Sequence, residues 1–362
     1  MTQIPSYPFD KIYDGYTNID TIDYYKGIKI HRVKTFLGYN KSTVKKIGGY
    51  LLFAFFTWKK AFNLAKNIDK VFFYHTGPAT MAHSSMVFKK IYKKKCYIWT
   101  QDIWPDAIYA YGIKKTFLSN LLLKTYLKKL YKNFDKVFVS CPGFISIVKT
   151  YYSREIKYIP QWYPLENDVI KIAKLKSSNE KLQFTFLGNL GTAQNLENVC
   201  LGFLKAVDDG LDATLNIVGD GVSYTKLKQI IDNSKTDKII LWGRKPQSEM
   251  NSFLEMSDVM IVSLADDPLL NMYIPAKFQG YLCAGKPILG ILNGEVSKII
   301  KINSLGVTVS PSNIEEISKS FESFVGKKDR IIEFRKNSSI FYEKNYLKFN
   351  SIANLITNIQ GK

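Results

Sequence analysis

The sequence predicts an α/β protein made of two doubly wound parallel-sheet domains in succession, with a ligand cleft between them. Three observations carry this. The chain has 362 residues, long for one core and comfortable for two. Short β-branched or aromatic runs alternate with roughly 10–15-residue helical stretches, the pattern of parallel strands covered on both faces. The alternation breaks once, after Pro160, at a stretch rich in Lys, Ser and Asn.

The first set of strands falls at Ile28–Val33, Val71–Tyr74, Cys96–Gln101, Val137–Ser140 and Lys157–Ile159. Helical stretches lie near 44–67, 79–93, 116–134 and 142–152. The second set falls at Gln183–Leu187, Ala213–Val218, Ile239–Trp242, Val259–Val262, Pro287–Leu292 and Gly306–Val309. This places one domain over 1–162, a linker over 163–180 and a second domain over 181–345. A final helix over 346–362 is expected to cross back to the first domain by analogy with such folds. In open parallel sheets the ligand sits beyond the carboxyl ends of the strands, so the chemistry is sought there.

Composition removes several classes. Hydrophobic residues at 46% and charged residues at 23% are an ordinary globular balance. Cys96, Cys141, Cys200 and Cys283 are far apart, and His31, His75 and His83 lack ligand spacing, which argues against a disulfide framework or a zinc site. Residues 1–15 do not read as a signal peptide. The most apolar stretch, Gly48–Trp58, has 11 residues, too few to cross a bilayer. Its length reads as a core helix, with a helix lying in a membrane surface as the other reading.

Charge is unevenly placed. Residues 1–162 hold 27 Lys/Arg and 9 Asp/Glu, whereas residues 163–362 hold 24 and 22. Lysine richness through nucleotide bias would not spare one half. A basic half reads as a surface facing anionic lipid or nucleic acid, and no compact nucleic-acid reader motif is present. Lys124, Lys128, Lys132 and Lys136 recur every four residues beside Leu121, Leu122, Leu127 and Leu130, a basic amphipathic helix suited to membrane docking or simply a solvated face.

Four strand ends stand out. Phe184–Gln194 runs from a strand into Gly188, Asn189 and Gly191 before a helix, where backbone can approach a phosphate. Leu215–Gly221 is a similar joint, with Asp220 expected to cap the next helix. Arg244 follows the strand at 239–242, where a guanidinium can pair with a diphosphate or stack on a base. The most specific is Tyr273–Gly290: Pro275 suits a first helical turn, the amides of Ala276 and Lys277 would point out of the helix start, and Lys277 adds a full charge.

The segment PAKFQGYLCAGKPIL resembles the donor-site helix of family 4 glycosyltransferases, P-S-K-x-x-E-Y-x-A-x-G-K-P. FLGNLGTAQNLENV, LNIVGDG, LWGRKPQSEM and SDVMIVSL are similar to the same family, in order. SYPFDKIYDGY, VFFYHTGPAT, WTQDIWPDAIYAYG, FVSCPGF and YIPQWYP resemble its bacterial O-antigen, capsule and exopolysaccharide branch, including N-acetylfucosamine transferases. The resemblance implies the GT-B fold of two Rossmann-like domains and a retaining transfer needing no metal or other cofactor for the chemistry. It implies a nucleotide-sugar donor, with uridine diphosphate as the expected carrier, and a lipid-linked saccharide acceptor. The basic first domain and the apolar stretch 48–58 would dock the chain on the anionic cytoplasmic face of the cell membrane. Carried over, Gly188, Asn189 and Gly191 line the diphosphate, Arg244 lies near base or phosphates, and Pro275, Ala276 and Lys277 hold the leaving diphosphate. Donors fixed where charge grows stabilise the transition state over the ground state. Asp102, in TQDIWPD at a strand end, would orient the acceptor, or else cap a turn.

Two departures are visible. The family's donor-helix glutamate falls on Gly280 and its earlier partner on Met272; Gln279 is adjacent but about 100° away around a helix. This reads as a different grip on the donor. Relatives also begin with a strand, a Gly-rich turn and a helix, roughly 35 residues ahead of the segment matching SYPF. The expectation is therefore a central strand missing from the first sheet, with unpaired edges, and lower solubility and activity than a longer version. Equal melting temperature and activity of the two would refute it. The rival readings are a nucleotide-sugar epimerase of the same fold, which would convert donor without acceptor, and a catalytically silent partner of an active transferase.

Overall fold

The computed structural model describes residues 1–7, 9–38, 41–104, 116–163 and 181–360. Internal contacts divide the chain into two units, Met1–Ile159 and Pro160–Lys362.

The first unit opens with a small mixed sheet of β1 (Thr2–Gln3), β2 (Thr21–Tyr25) and β3 (Ile28–Val33), in the order β1-β3-β2. β2 and β3 are antiparallel and pair up to Tyr25↔Ile28, so Lys26 and Gly27 make a two-residue turn. Both have positive φ, 49° and 79°, the geometry whose twist matches flanking strands. This hairpin adds a small mixed sheet to the parallel sheet of the unit. The rest of the unit runs α1 (Thr43–Leu64), β4 (Lys70–His75), β5 (Lys95–Thr100), α2 (Phe117–Tyr131), β6 (Lys136–Val139), α3 (Phe144–Val148) and β7 (Ile156–Tyr158). β4 to β7 form a second, all-parallel sheet in chain order. β1 and β4 are each an edge strand of their own sheet. The expected helix over 79–93 is a 3₁₀ turn, Ala79–Ala82, followed by a π turn, Val87–Ile91. The stretch at 142–152 keeps only the five residues of α3.

α1 begins at Ser42, whose hydroxyl accepts from Lys45 N at 3.2 Å. It is not a core helix. The residues it buries are Ala54, Thr57 and Ala61, while Leu51 is 58% and Phe55 54% exposed. Small residues recur at helical spacing on the inner face, and Leu51 and Phe55 fall on the other side. α2 starts with a reciprocal capping box between Thr116 and Ser119. It buries Leu127, Leu130 and Tyr131 and leaves Leu121 and Leu122 exposed. Lys124, Lys128 and Lys132 are exposed on or at the end of α2, but Lys136 opens β6. The four-residue lysine spacing therefore outruns its helix. Asn133 Nδ2 donates to the carbonyls of Lys129 and Leu130 and closes the helix end. Asp135 then takes two contacts from Lys89 Nζ, at 2.6 and 2.7 Å, and one from Cys96 N, fixing the chain as it enters β6.

In the second unit β8 (Leu182–Leu187), β9 (Ala213–Val218), β10 (Ile239–Gly243), β11 (Val259–Ser263), β12 (Ile288–Ile291) and β13 (Gly306–Val309) form one parallel sheet, ordered β10-β9-β8-β11-β12-β13. Its direction of winding reverses between β8 and β11. The helices are α4 (Leu196–Asp208), α5 (Tyr224–Ser234), α6 (Met250–Met256), α7 (Ala276–Cys283), α8 (Gly294–Ile302), α9 (Ile314–Glu322), α10 (Lys328–Asn345) and α11 (Lys348–Gln360). Inward residues of the strands, such as Phe184, Phe186, Leu215 and Ile261, pack with Phe203 of α4 and Phe321 of α9 in one core. Gly202 permits the close approach of α4 and α9: a Cβ there would lie 2.3 Å from Ile317 Cγ2. Gly202→Ala is expected to overpack this contact and cost about 1–3 kcal/mol, despite alanine's better helix propensity. A lowered denaturation midpoint would show it, and a raised one would refute it. No helix among the described residues is long and apolar enough to cross a membrane.

Candidate functional site

In the second unit a crevice of the kind doubly wound sheets form is sought where the sheet reverses. β11 pairs with β8 only at Val259↔Phe184 and Met260↔Thr185, and the strands then part. Parting leaves the backbone of Leu187 without a strand partner on that side. The Tyr281 hydroxyl supplies one: it accepts from Leu187 N at 3.0 Å and donates to Leu187 O at 3.1 Å. Beyond this plug come Gly188 and Asn189, both exposed. Their loop rests on the next strand end, with Gly188 N donating to Val218 O and Leu190 N to Asp220 O, each at 2.9 Å. A Cβ on Gly219 would fall 1.8 Å from Gly188 O, so the two loops meet backbone to backbone. Gly191 donates its amide to Gln194 Oε1 and sits beside the Asn189 carboxamide. Asp220 does not cap the following helix; its Oδ1 accepts from Gly221 N at 2.7 Å.

α7 begins at this crevice. Pro275 is its N-cap in extended conformation, one residue earlier than a first helical position, and its carbonyl accepts from Phe278 N at 3.0 Å. The amides of Ala276 and Lys277 precede that first bond at the helix start. Lys277 folds its side chain inward. Its Nζ lies 3.7 Å from the centroid of the Phe186 ring and would stand 3.2 Å from a Cβ on Gly188. That nitrogen is buried and has no hydrogen-bond partner among the described residues. Burial pulls its pKa down to about 7. A lone ammonium held by an aromatic face at a helix N-terminus is an incomplete arrangement, and an anion would complete it.

Three further positions named from the sequence are Gln279, Gly280 and Arg244. Gln279 is buried, with neither amide atom partnered among the described residues. Gly280 faces Tyr163: a Cβ would meet the ring at 2.6 Å, so no side chain, let alone a glutamate, fits without displacing the tyrosine. The Tyr163 hydroxyl pairs with Gln247, and burial raises its pKa. Arg244 is exposed just past β10. Tyr281 and Tyr163 were not singled out from sequence. Tyr281 carries a signal in hindsight, lying four residues, about one helical turn, after Lys277.

In the first unit Asp102 follows β5 and lines a cavity of about 730 Å³ with Lys46, Tyr50, Thr76, Gly77 and Trp104. Burial raises the Asp102 carboxyl to about 6 and lowers the Lys46 ammonium from its usual value. His75, at the end of β4, is buried, and burial brings it down to about 4, so it is neutral at physiological pH. Lys124, Lys128 and Lys132 lie on or at the end of α2, with Phe117, Leu118, Leu121 and Leu122 exposed on the same helix. No cluster of three or more His, Cys, Asp or Glu suited to a metal occurs among the described residues.

The crevice, with its glycine loops, buried lysine and helix start, lies inside the stretch 169–339, which matches the family Glycosyl transferases group 1. That match supports a glycosyltransferase. A curated protein of Pseudomonas aeruginosa, "Probable glycosyltransferase WbjE", is 23% identical over 249 residues, covering 66% of this chain and 62% of that protein. Among solved structures, the UDP complex of Anabaena Alr3699/HepE is similar at TM-score 0.65 and 12% identity, over 84% of this chain and 82% of that one. Sucrose-phosphate synthase from Thermosynechococcus elongatus reaches 0.68 at 9% identity, over 96% and 86%. An E. coli "Trehalose-6-phosphate" structure bound with UDP-2-fluoro glucose reaches 0.70 at 9%, over 94% and 89%. These similarities establish the fold as GT-B, built on two units with parallel sheets.

Proposed function

We propose that the protein transfers a sugar from a nucleoside-diphosphate donor to a lipid-linked saccharide, in the assembly of a surface polysaccharide. The donor part rests on one observation above all: the buried, unpartnered Lys277 ammonium at the start of α7, against Gly188. A leaving diphosphate gains charge as the sugar bond breaks, and Lys277 with the α7 amides supplies fixed positive charge at that point. We take the chemistry to need no metal and to retain configuration at the sugar carbon. Uridine diphosphate is the proposed carrier, in keeping with the UDP bound by HepE. With position 280 closed by Tyr163, the ribose is gripped without a carboxylate on α7. The test is a thermal-shift screen of nucleoside diphosphates without added metal. A shift specific to one base supports the reading, and no shift with any of them overturns it.

Asp102, in its cavity in the first unit, is the proposed acceptor-orienting group and base. For the acceptor we propose docking on an anionic membrane, through the exposed apolar residues of α1 and α2 and the lysines of α2. Neutralising Lys124, Lys128 and Lys132 together to Gln is expected to weaken binding to vesicles containing phosphatidylglycerol by roughly a hundredfold, at about 1 kcal/mol per charge. The nucleotide-induced thermal shift should stay unchanged. Undiminished vesicle binding would reject the docking.

A further inference from the structure

The first unit holds a second cavity, and its chemistry is unlike the first. It measures about 150 Å³ and lies between α1 and α2, walled by Ile47 and Leu51 on one side and Leu123, Tyr126 and Leu127 on the other. Pro78, Ala79 and Thr80 form its floor. The walls are apolar. Of its two tyrosines, Tyr126 turns its hydroxyl to His83 Nδ1 at 3.2 Å with the two rings stacked, and Tyr50 packs edge to face on Trp104. Leu51 belongs both to the wall and to the exposed surface, at 58% exposure, and marks a mouth open to the outside.

Two features say what occupies it. The slot and the Asp102 cavity share Tyr50, Pro78 and Trp104 as walls, with Tyr50 and Trp104 packed edge to face at 6.4 Å. The polar cavity carrying Lys46 and Asp102 is thus the slot's immediate neighbour across this aromatic pair. The helices that form the slot also bear Lys45 and Lys46 at the start of α1 and Lys124 and Lys128 on α2. Anionic charge is thus favoured next to an apolar channel. The channel is too narrow for a peptide helix about 10 Å across. A dry apolar cavity of about this volume takes a guest of benzene's bulk, which corresponds to a few carbons of a branched chain.

We propose that the slot between α1 and α2 binds the hydrocarbon chain of the acceptor, next to its phosphate, and that the phosphate enters the Asp102 cavity beside Lys46. The proposal rests on the lipid-linked acceptor suggested above and adds where the lipid is read. The slot selects a flexible chain bearing an anionic head over a free sugar phosphate. Residues outside it, such as Leu118 on the exposed part of α2, serve only the membrane surface.

Calorimetric titration of the full chain with farnesyl phosphate, below its micellar concentration and without vesicles, tests this. Wild-type protein is expected to bind it saturably, and inorganic phosphate at the same concentration is expected to give no saturable heat. Leu123→Trp, filling the slot from α2, and Ile47→Trp, filling it from α1, should each weaken binding at least tenfold. Leu118→Ser should leave that affinity unchanged while weakening vesicle binding. Saturable binding in wild type that persists undiminished in both filled variants, or no saturable binding in wild type, overturns the proposal. The UDP thermal shift, measured on every variant, reports folding and the donor site independently. Its absence throughout, with farnesyl phosphate still bound and displaced by the two tryptophans, sinks the donor reading and leaves the slot standing.

Discussion

Replacing Lys277 by methionine is expected to weaken nucleoside-diphosphate binding by roughly 10- to 150-fold, the value of a charge-assisted contact of about 1.5–3 kcal/mol. Methionine keeps the packing on the Phe186 ring that Lys277 makes now, so the loss reports the charge. The pH dependence is the sharper signature. With its pKa near 7, free Lys277 is an ammonium below pH 7 and increasingly an amine above it. A bound diphosphate raises that pKa, so binding above pH 7 must draw in a proton. Affinity should then fall by up to about tenfold per pH unit above 7, and this fall should be absent in Lys277→Met. The variant also subtracts any titration of the nucleotide itself. Stability runs the other way. The folded pKa lies below the unfolded value of about 10.4, so the unfolded chain holds more protons between pH 7 and 10. Wild-type stability relative to Lys277→Met should therefore rise across that window in the absence of ligand. Equal slopes in both proteins would show that Lys277 neither binds the phosphate nor carries a shifted proton.

Asp102→Asn is expected to lower the rate of transfer by roughly 100-fold or more if the carboxylate acts as base, the usual scale for such a group. In the wild type the rate should drop as pH falls through about 6, where Asp102 protonates. The same substitution should stabilise the protein at neutral pH. The folded pKa is raised, so folding favours the protonated form. That contribution is fully present below the unfolded carboxyl pKa and is lost as pH rises through about 6. Asparagine removes the buried charge. Slower transfer together with a higher melting temperature at pH 7.5 marks a functional group held at a cost. A turn-capping aspartate would instead lose stability on substitution and leave the rate alone.

Much of this molecule was legible in sequence. The eleven strands read from it all fall on observed strands, and three of them, at 28–33, 213–218 and 306–309, coincide end to end. Lys277 and the glycines at 188 and 191 were singled out by motif, and Lys277 Nζ lies beside Gly188. Those features depend on local chemistry: β-branched runs, glycines at joints and a proline before a helix all act within a few residues of themselves. What tertiary structure decided depends on partners far away in the chain. Tyr281 satisfies Leu187, 94 residues earlier, and Tyr163 closes the space at Gly280. α1 turns its alanines inward and leaves Leu51 and Phe55 outside because Ala54, Thr57 and Ala61 share the face that packs. Lys136 belongs to a strand because Asn133 and Asp135 end the helix first. A sequence states which residues are apolar or charged; only packing decides which way each one faces, and both proposed sites depend on that choice.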